Sequence, residues 1–572
     1  MGARSQLKAY VRDTKGGAAM VTRRSPVGVW RRSWRGNVLL AAGLLAASLV
    51  GPNLGAVATA GAASSHRNKS TSSINVTPAC HGRPVRGGTL TYARSEGPVT
   101  LDPYFPTNGN GDIFIDYLIY QPLVMPTPKG GDKVIPGVAD KWTISNGGTT
   151  YTFHIRPGIK FSNGQPVTAT DVKFSLDEFA TTKADTTVVL ATGFGFKNAV
   201  VVNPSTVQMN LTKPAPGILE NISIFDAYIV PEKLYQSEGT KFWTDPVGTG
   251  PFKVANWVHG SSITLVRNPY YWQKGLPYLT KIKFLYATTG NSRLLDLEDR
   301  EAQIATLITF NDIPAVKADS QLVLQLGKVP YWVGLWMNEK RAQFKTLDVR
   351  QAIQYALDKP LINTKVFHGV GTIPNSILPQ LAGDASNNVV HPYTFNVKKA
   401  KQLMAKSHYP HGFTTTLSYP SGSIEYTELV LLLQSELSKI GVDLKLVSET
   451  EATVTTHWST ASYTMTFPFV EFTSDVWVPD EYATFVTAPV PLHAFESYWT
   501  DPTVIHMVTT YVHTPKPSRV KLWQKIQKAM LVQTPDINVM DLPFTNVHLR
   551  NVCGTYLDAL GADSLQYTWI AK

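Results

Sequence analysis

Apolar and polar positions alternate in a few short stretches of this chain and recur at helical spacing in others. Tyr151, Phe153 and Ile155 are bulky and alternate with polar neighbours, which predicts a strand with one buried face. Pro157-Gly158 ends that strand, and Asn163-Gly164 supplies turn chemistry. Thr170 then reads as a helix N-cap with Asp171 in the positive first turn, followed by the apolar stripe Val172, Leu176 and Phe179. Trp142 and Ile144, the turn Asn146-Gly147-Gly148, then Tyr151 and Phe153 predict a hairpin. Val207, Met209 and Leu211 mark another strand, while Ala180–Ala199 is less patterned and reads as a surface connection. Thr89–Tyr92 predicts the first strand and Ile113–Leu123 a helix.

Further along, Val349, Ile353, Ala356, Leu357 and Leu361 form a helical stripe that Asp348 can cap. Leu429, Leu432, Leu433, Leu437 and Ile440 form a second one, stopped by Gly441, after which Val442, Leu444 and Leu446 alternate as a strand. Repeated helix–strand units of this kind predict an α/β protein.

Length and charge refine that picture. At 572 residues the chain exceeds the size at which a single core stops growing, so two or three domains are expected. The net charge of +11 would suit a nucleic-acid partner if it were spread over the folded part, but it is concentrated at one end. Residues 1–60 hold nine Lys/Arg and one acidic residue, leaving 44 basic against 41 acidic residues beyond them. No nucleic-acid role is expected. That basic segment precedes Val38–Val50, thirteen apolar or small residues, and then small residues such as Ala58-Thr59-Ala60. This is the order of a secretory signal peptide, residues 1–60, with an uncleaved anchor as the alternative. Residues 61–80, rich in Ser, Thr and Asn, read as a flexible tether.

Six segments occur in an order that resembles bacterial extracellular solute-binding protein family 5. They are Gly87–Leu90, Leu101-Asp102-Pro103, Val134–Trp142, Val247–Phe252, Asn268–Trp272 and Leu347–Lys359. The family includes oligopeptide-, dipeptide- and nickel-binding proteins of ABC importers. The resemblance implies a two-lobed, class II periplasmic-binding-protein-like fold with a small domain inserted in the N-terminal lobe. On that basis residues 81–123, 228–329 and 541–572 would form domain I, residues 124–227 domain II and residues 330–540 domain III. It also implies an exported, extracytoplasmic monomer that captures a solute, peptides first among them, and delivers it to a membrane ABC permease. A non-peptide solute (an oligosaccharide or a metal chelate) and a ligand-sensing receptor role stand as alternatives.

Peptide-binding relatives place an aspartate in a cleft loop, where it pairs with the peptide ammonium. By resemblance Asp475 takes that place in Phe472-Thr473-Ser474-Asp475-Val476-Trp477, with Ser474 beside it, Phe472 at an aromatic position and Trp477 over the pocket. A carboxylate facing a desolvated ammonium makes a strong charge-assisted hydrogen bond. Val476 departs from the family pattern, and Asp480 is the alternative anchor; a solvated acidic loop is the plain alternative to both. Thr107, Asn108 and Gly109, in an irregular loop after the first strand, and Phe544, in the returning segment, are further candidates. The only cysteines are Cys80 and Cys553. The family fold brings both chain ends into one domain, so a disulfide is ranked above two free thiols, and lipidation of Cys80 last.

Catalytic and metal motifs are missing. There is no Gly-x-Ser-x-Gly, His-Glu-x-x-His or Cys-x-x-Cys, and the His408/His411 pair sits in a loop. Val247-Gly248-Thr249-Gly250-Pro251-Phe252 fails as a phosphate loop, because no Gly-Lys-Ser/Thr follows; its glycines read as a tight entry into a strand. Neither enzyme activity nor a cofactor is expected.

Overall fold

The computed structural model describes residues 80, 82–104, 110–127, 133–181, 193–223, 227–376, 393–450, 453–454, 456–457, 460–466, 472–473, 479–480, 497–515, 517–557 and 564–572. The expected signal peptide and nearly all of the tether lie outside the described residues.

Strand β1 (Thr89–Arg94) starts the main sheet. A ribbon of β2 (Val124–Pro126) and β3 (Val134–Pro136) follows, then β4 (Ala139–Ser145), β5 (Thr150–Ile155), β6 (Phe196–Asn203) and β7 (Thr206–Leu211). The last four form a separate antiparallel sheet in the order β4-β5-β7-β6. The hairpin forms where alternation places it: Trp142 pairs with Phe153 and Ile144 with Tyr151. Tyr151, Phe153 and Ile155 are buried, as are Val172, Leu176 and Phe179 on the helix Ala169–Thr181 packed against the sheet.

Three local readings need correction. The helix Ala169–Thr181 is capped by Thr168, not Thr170: Thr168 Oγ1 accepts from the Asp171 N–H, while Asp171 Oδ2 accepts from the Thr168 N–H at 2.8 Å. This reciprocal pair satisfies two backbone donors, which Thr170 one residue inside the helix could not do. Likewise the helix Leu347–Ala356 has Thr346 at its N-cap, and Asp348 sits in its first turn. Finally, the end of the supposed surface connection, Phe196–Ala199, is part of β6; Ala199 is buried while its neighbours are exposed.

The main sheet continues with β8 (Phe252–Val258), β9 (Ser262–Arg267), β10 (Lys281–Tyr286) and β11 (Ile304–Thr306). The long β12 (Leu322–Met337) then leads to β13 (Phe413–Pro420), β14 (Val442–Glu449), β15 (Met465–Thr466) and β16 (Phe472–Thr473), and β17 (Asp536–Leu549) returns. A short ribbon of β18 (Val552–Cys553) and β19 (Trp569–Ile570) closes the chain. Among the described residues the sheet has eleven strands in the order β14-β13-β15-β12-β17-β11-β1-β10-β9-β8, with β16 beside β12.

Two lobes follow from that order. β1, β10 and β11 run parallel on one side, and β13, β14 and β15 run parallel on the other. The antiparallel pair β12–β17 bridges them. Its register breaks between the pairs Gly327–Phe544 and Tyr331–Leu542, so Lys328, Val329 and Pro330 stand opposite Pro543 alone. A proline on each strand removes a ladder donor at this break. Cys80 is disulfide-bonded to Cys553 with a Cα–Cα distance of 5.8 Å, which fastens the start of the described chain to the terminal ribbon.

Candidate functional site

Parallel strands leave their carboxyl ends open to a crevice, and α/β proteins bind ligands there. In this protein both lobes turn such ends toward one cavity of about 780 Å³. One wall comes from the segments after β1, β10 and β11: Ser95-Glu96, Thr288–Asn291 and Leu307–Phe310. The facing wall is Ser421–Tyr426, which follows β13. Pro543, from the register break, and Thr545 line it between the two.

Two helices begin at this cavity. Thr289 caps Gly290–Glu298, its Oγ1 accepting from the Ser292 N–H at 3.2 Å. Ser423 caps Ile424–Ser438, its Oγ accepting from the Tyr426 N–H at 3.2 Å. The positive ends of both helix dipoles therefore border the same space, one from each lobe.

The first wall is held by Arg293, which is 3 % exposed and donates to the carbonyls of Ala287, Thr306 and Leu307. Its guanidinium is thereby committed to shaping the wall. Leu307 has φ of 51°, a left-handed value that a branched residue adopts only under constraint. The constraint is visible: its N–H donates to the Thr545 carbonyl at 2.6 Å and its carbonyl accepts from Arg293. Gly290 completes the wall, since a Cβ there would lie 2.9 Å from Thr309 N and 3.0 Å from the Leu307 carbonyl.

Of the residues singled out in the sequence, Ser474, Asp475, Trp477, Thr107, Asn108 and Gly109 lie outside the described residues. Phe472 is described by its backbone: it pairs with Trp332 in β12, two strands from Pro543. Asp480, the alternative anchor, is fully buried and ion-paired with the buried Arg519, so its charge is already matched inside the protein. Phe544 is 4 % exposed and belongs to the hydrophobic core, while its neighbours Pro543 and Thr545 line the cavity. Strand alternation puts adjacent side chains on opposite faces, and Phe544 takes the core side.

Sequence reading did not single out Thr289, Ser423, Glu425 or Phe310. Pro-Ser-Gly-Ser-Ile-Glu at 420–425, between a strand and the stripe starting at Leu429, carries a cap signature that could have located the second wall. The glycines of Val247–Phe252 do work as a tight entry. A Cβ on Gly248 would lie 2.2 Å from the Ile119 carbonyl, and one on Gly250 2.4 Å from that of Leu118.

Fold and cavity together define a two-lobed binding-protein architecture of the periplasmic class. A model of bacterial extracellular solute-binding proteins, family 5, matches residues 133–521, and the chain belongs to this family. Among curated relatives, the glutathione-binding protein GsiB of Pectobacterium atrosepticum is 28 % identical over 322 residues, covering 55 % of this chain and 61 % of that protein. The chain thus spans about six-tenths of the length of that relative. Among solved structures, the periplasmic binding protein DppA of Helicobacter pylori in complex with the peptide STSA shares the fold at a TM-score of 0.77 and 22 % identity, covering 85 % of this chain and 99 % of DppA. The oligopeptide-binding protein AppA of Bacillus subtilis in complex with a nonapeptide has a TM-score of 0.74 at 20 % identity, covering 86 % and 100 %.

Proposed function

We propose that this protein is an extracytoplasmic solute receptor that captures peptides in the interlobe cavity, closes over them and presents the closed form to an ABC permease. One observation carries the reading: the carboxyl ends of parallel strands from both lobes border one cavity, and the lobes are bridged by a strand pair broken opposite Pro543. Ligand stabilises closure only by contacting both lobes, and the cavity offers a wall from each.

Peptides are favoured over other solutes by chemistry as well as by kinship. Two helix N-termini suit a carboxylate, and the 28 %-identical relative is named for binding glutathione, a γ-linked tripeptide. The proposed anchor for the opposite charge, a peptide ammonium, is Asp475, flanked by Ser474 and Trp477. No bond-making step is assigned.

Isothermal calorimetry of the full-length chain with glutathione, a tetrapeptide series, the N-acetylated series and a sugar panel tests this. Binding of free peptides, weakened at least about tenfold by N-acetylation or by Asp475→Asn, is the expected result. Affinity confined to sugars would overturn the peptide reading. Peptide binding indifferent to N-acetylation would remove Asp475 from its role.

A further inference from the structure

The segment after β11 bonds directly to the opposite lobe. The Phe310 N–H donates to Glu425 Oε1 at 2.9 Å, and Glu425 sits in the first turn of the helix that starts the opposite wall. The Phe310 ring meets Phe367 edge-on, with centroids 5.6 Å apart and planes at 85°. Next to it the Asn311 side-chain carbonyl bonds the ring Nε2 of His368. Phe310 is 6 %, Glu425 7 % and Phe367 0 % exposed, so the hydrogen bond is buried. The other Glu425 oxygen accepts from Ser423 Oγ at 3.0 Å, which fixes the carboxylate in the orientation the Phe310 N–H needs.

These contacts join residues on the β11 side of the bridging strands to residues on the β13 side. Opening the lobes would break them, leaving the Phe310 amide to water and two phenyl rings exposed. We propose that Phe310, Glu425 and Phe367 form a ligand-independent clasp that sets how much of the empty protein is closed. The proposal rests on the hinge reading above. Any ligand then adds its differential affinity to an equilibrium that the clasp has already biased, and the apparent dissociation constant contains the clasp as a factor. Glu425 is therefore a positioning residue for closure, acting through the Phe310 backbone.

The test uses the full-length chain, stripped of ligand by denaturant and refolded with its disulfide intact. Spin labels at Lys233→Cys and Lys401→Cys, both exposed and on opposite lobes, report the interlobe distance by double electron–electron resonance. The parent is expected to show a closed and an open distance. Glu425→Ala should lower the closed-to-open ratio at least about fivefold. Glu425→Gln, which keeps a carbonyl oxygen for the Phe310 N–H, should lower it less. Phe367→Leu should act like Glu425→Ala while retaining an apolar fill if larger truncations fail to fold. Two distances with a ratio unmoved by Glu425→Ala would overturn the clasp and leave the hinge standing. One fixed distance in every variant, with and without glutathione as probe, would overturn the hinge reading and the clasp with it.

Discussion

The carboxylate of Glu436 accepts the backbone N–H of Asp358 through both of its oxygens, each at 3.2 Å. It does so from a fully buried position on the helix Ile424–Ser438, and Asp358 in turn caps the helix Lys359–Lys365 by accepting from the Leu361 N–H at 3.0 Å. Burial pushes the Glu436 carboxyl up to about 7, against the pull of the Asp358 N–H. Its unfolded value lies near 4.5. Between these values the folded state keeps a proton that the unfolded chain has released, so stability falls as pH rises from about 4.5 to about 7 and levels off above. Glu436→Gln removes this titration. Urea midpoints from pH 5 to 8 should show the variant gaining on the parent with pH, by on the order of 2 kcal/mol across the window. Glu339 and Asp536, both raised by burial to about 8, slope the same way but are common to both proteins. Parallel curves would show that Glu436 titrates normally.

The Cys80–Cys553 bond closes a loop across a sequence separation of 473. Cross-linking so distant a pair restricts the unfolded chain far more than the folded one, in which Cys80 lies beside Val552 of β18. The Cys80→Ser/Cys553→Ser protein should lose about 3–5 kcal/mol in equilibrium denaturation. Peptide affinity should stay unchanged, since neither cysteine lines the cavity. A double-serine protein of parental stability would mean that the unfolded chain is already compact.

Local periodicity made β5, the helix Ala169–Thr181 and the helix–Gly441–strand unit legible, because each is decided by neighbours within a few residues. Gly441 at φ 84° stands where the second helix has to stop. The cavity was not legible in this way. Thr289, Phe310, Ser423 and Pro543 are far apart in the chain and meet only because strand order brings β10, β11, β13 and β17 together. Phe544 illustrates the same limit on a smaller scale. Which of three consecutive residues faces the cavity depends on the register break in β12–β17, and that break is a property of two strands rather than one.

Gly250 offers a sharp test of the close-approach reading of Val247–Phe252. Its N–H donates to the Ile119 carbonyl at 2.8 Å, and a Cβ would lie 2.4 Å from the Leu118 carbonyl. The hydrogen bond holds the strand where the methyl group cannot fit, and the obstacle is backbone rather than a movable side chain. Gly250→Ala should therefore destabilise by about 2–3 kcal/mol. Gly158→Ala, at φ 73° with open space around it, should lose only about 1 kcal/mol from backbone strain. Equal losses at the two sites would refute the steric account.

Asp480 and Arg519 form a buried ion pair, with the Arg519 guanidinium also 4.5 Å above the Tyr511 ring. The carboxylate lies against Gly217 in the segment after β7, where a Cβ would come within 2.5 Å of it. His513 nearby donates its ring Nδ1–H to the Pro214 carbonyl at 2.8 Å. Removing one charge strands the other where water does not reach it, which costs about 3–5 kcal/mol, whereas replacing both by apolar groups can be nearly neutral. Asp480→Asn and Arg519→Met should each lower the denaturation midpoint strongly, and Asp480→Leu/Arg519→Met should recover much of the loss. The same set separates Asp480 from the proposed anchor. Asp475→Asn should weaken binding of free peptides with little change in stability, while Asp480→Asn should lower stability first. A stable Asp480→Asn protein that has lost peptide binding would transfer the anchor role to Asp480 and require Arg519 to be released on closure.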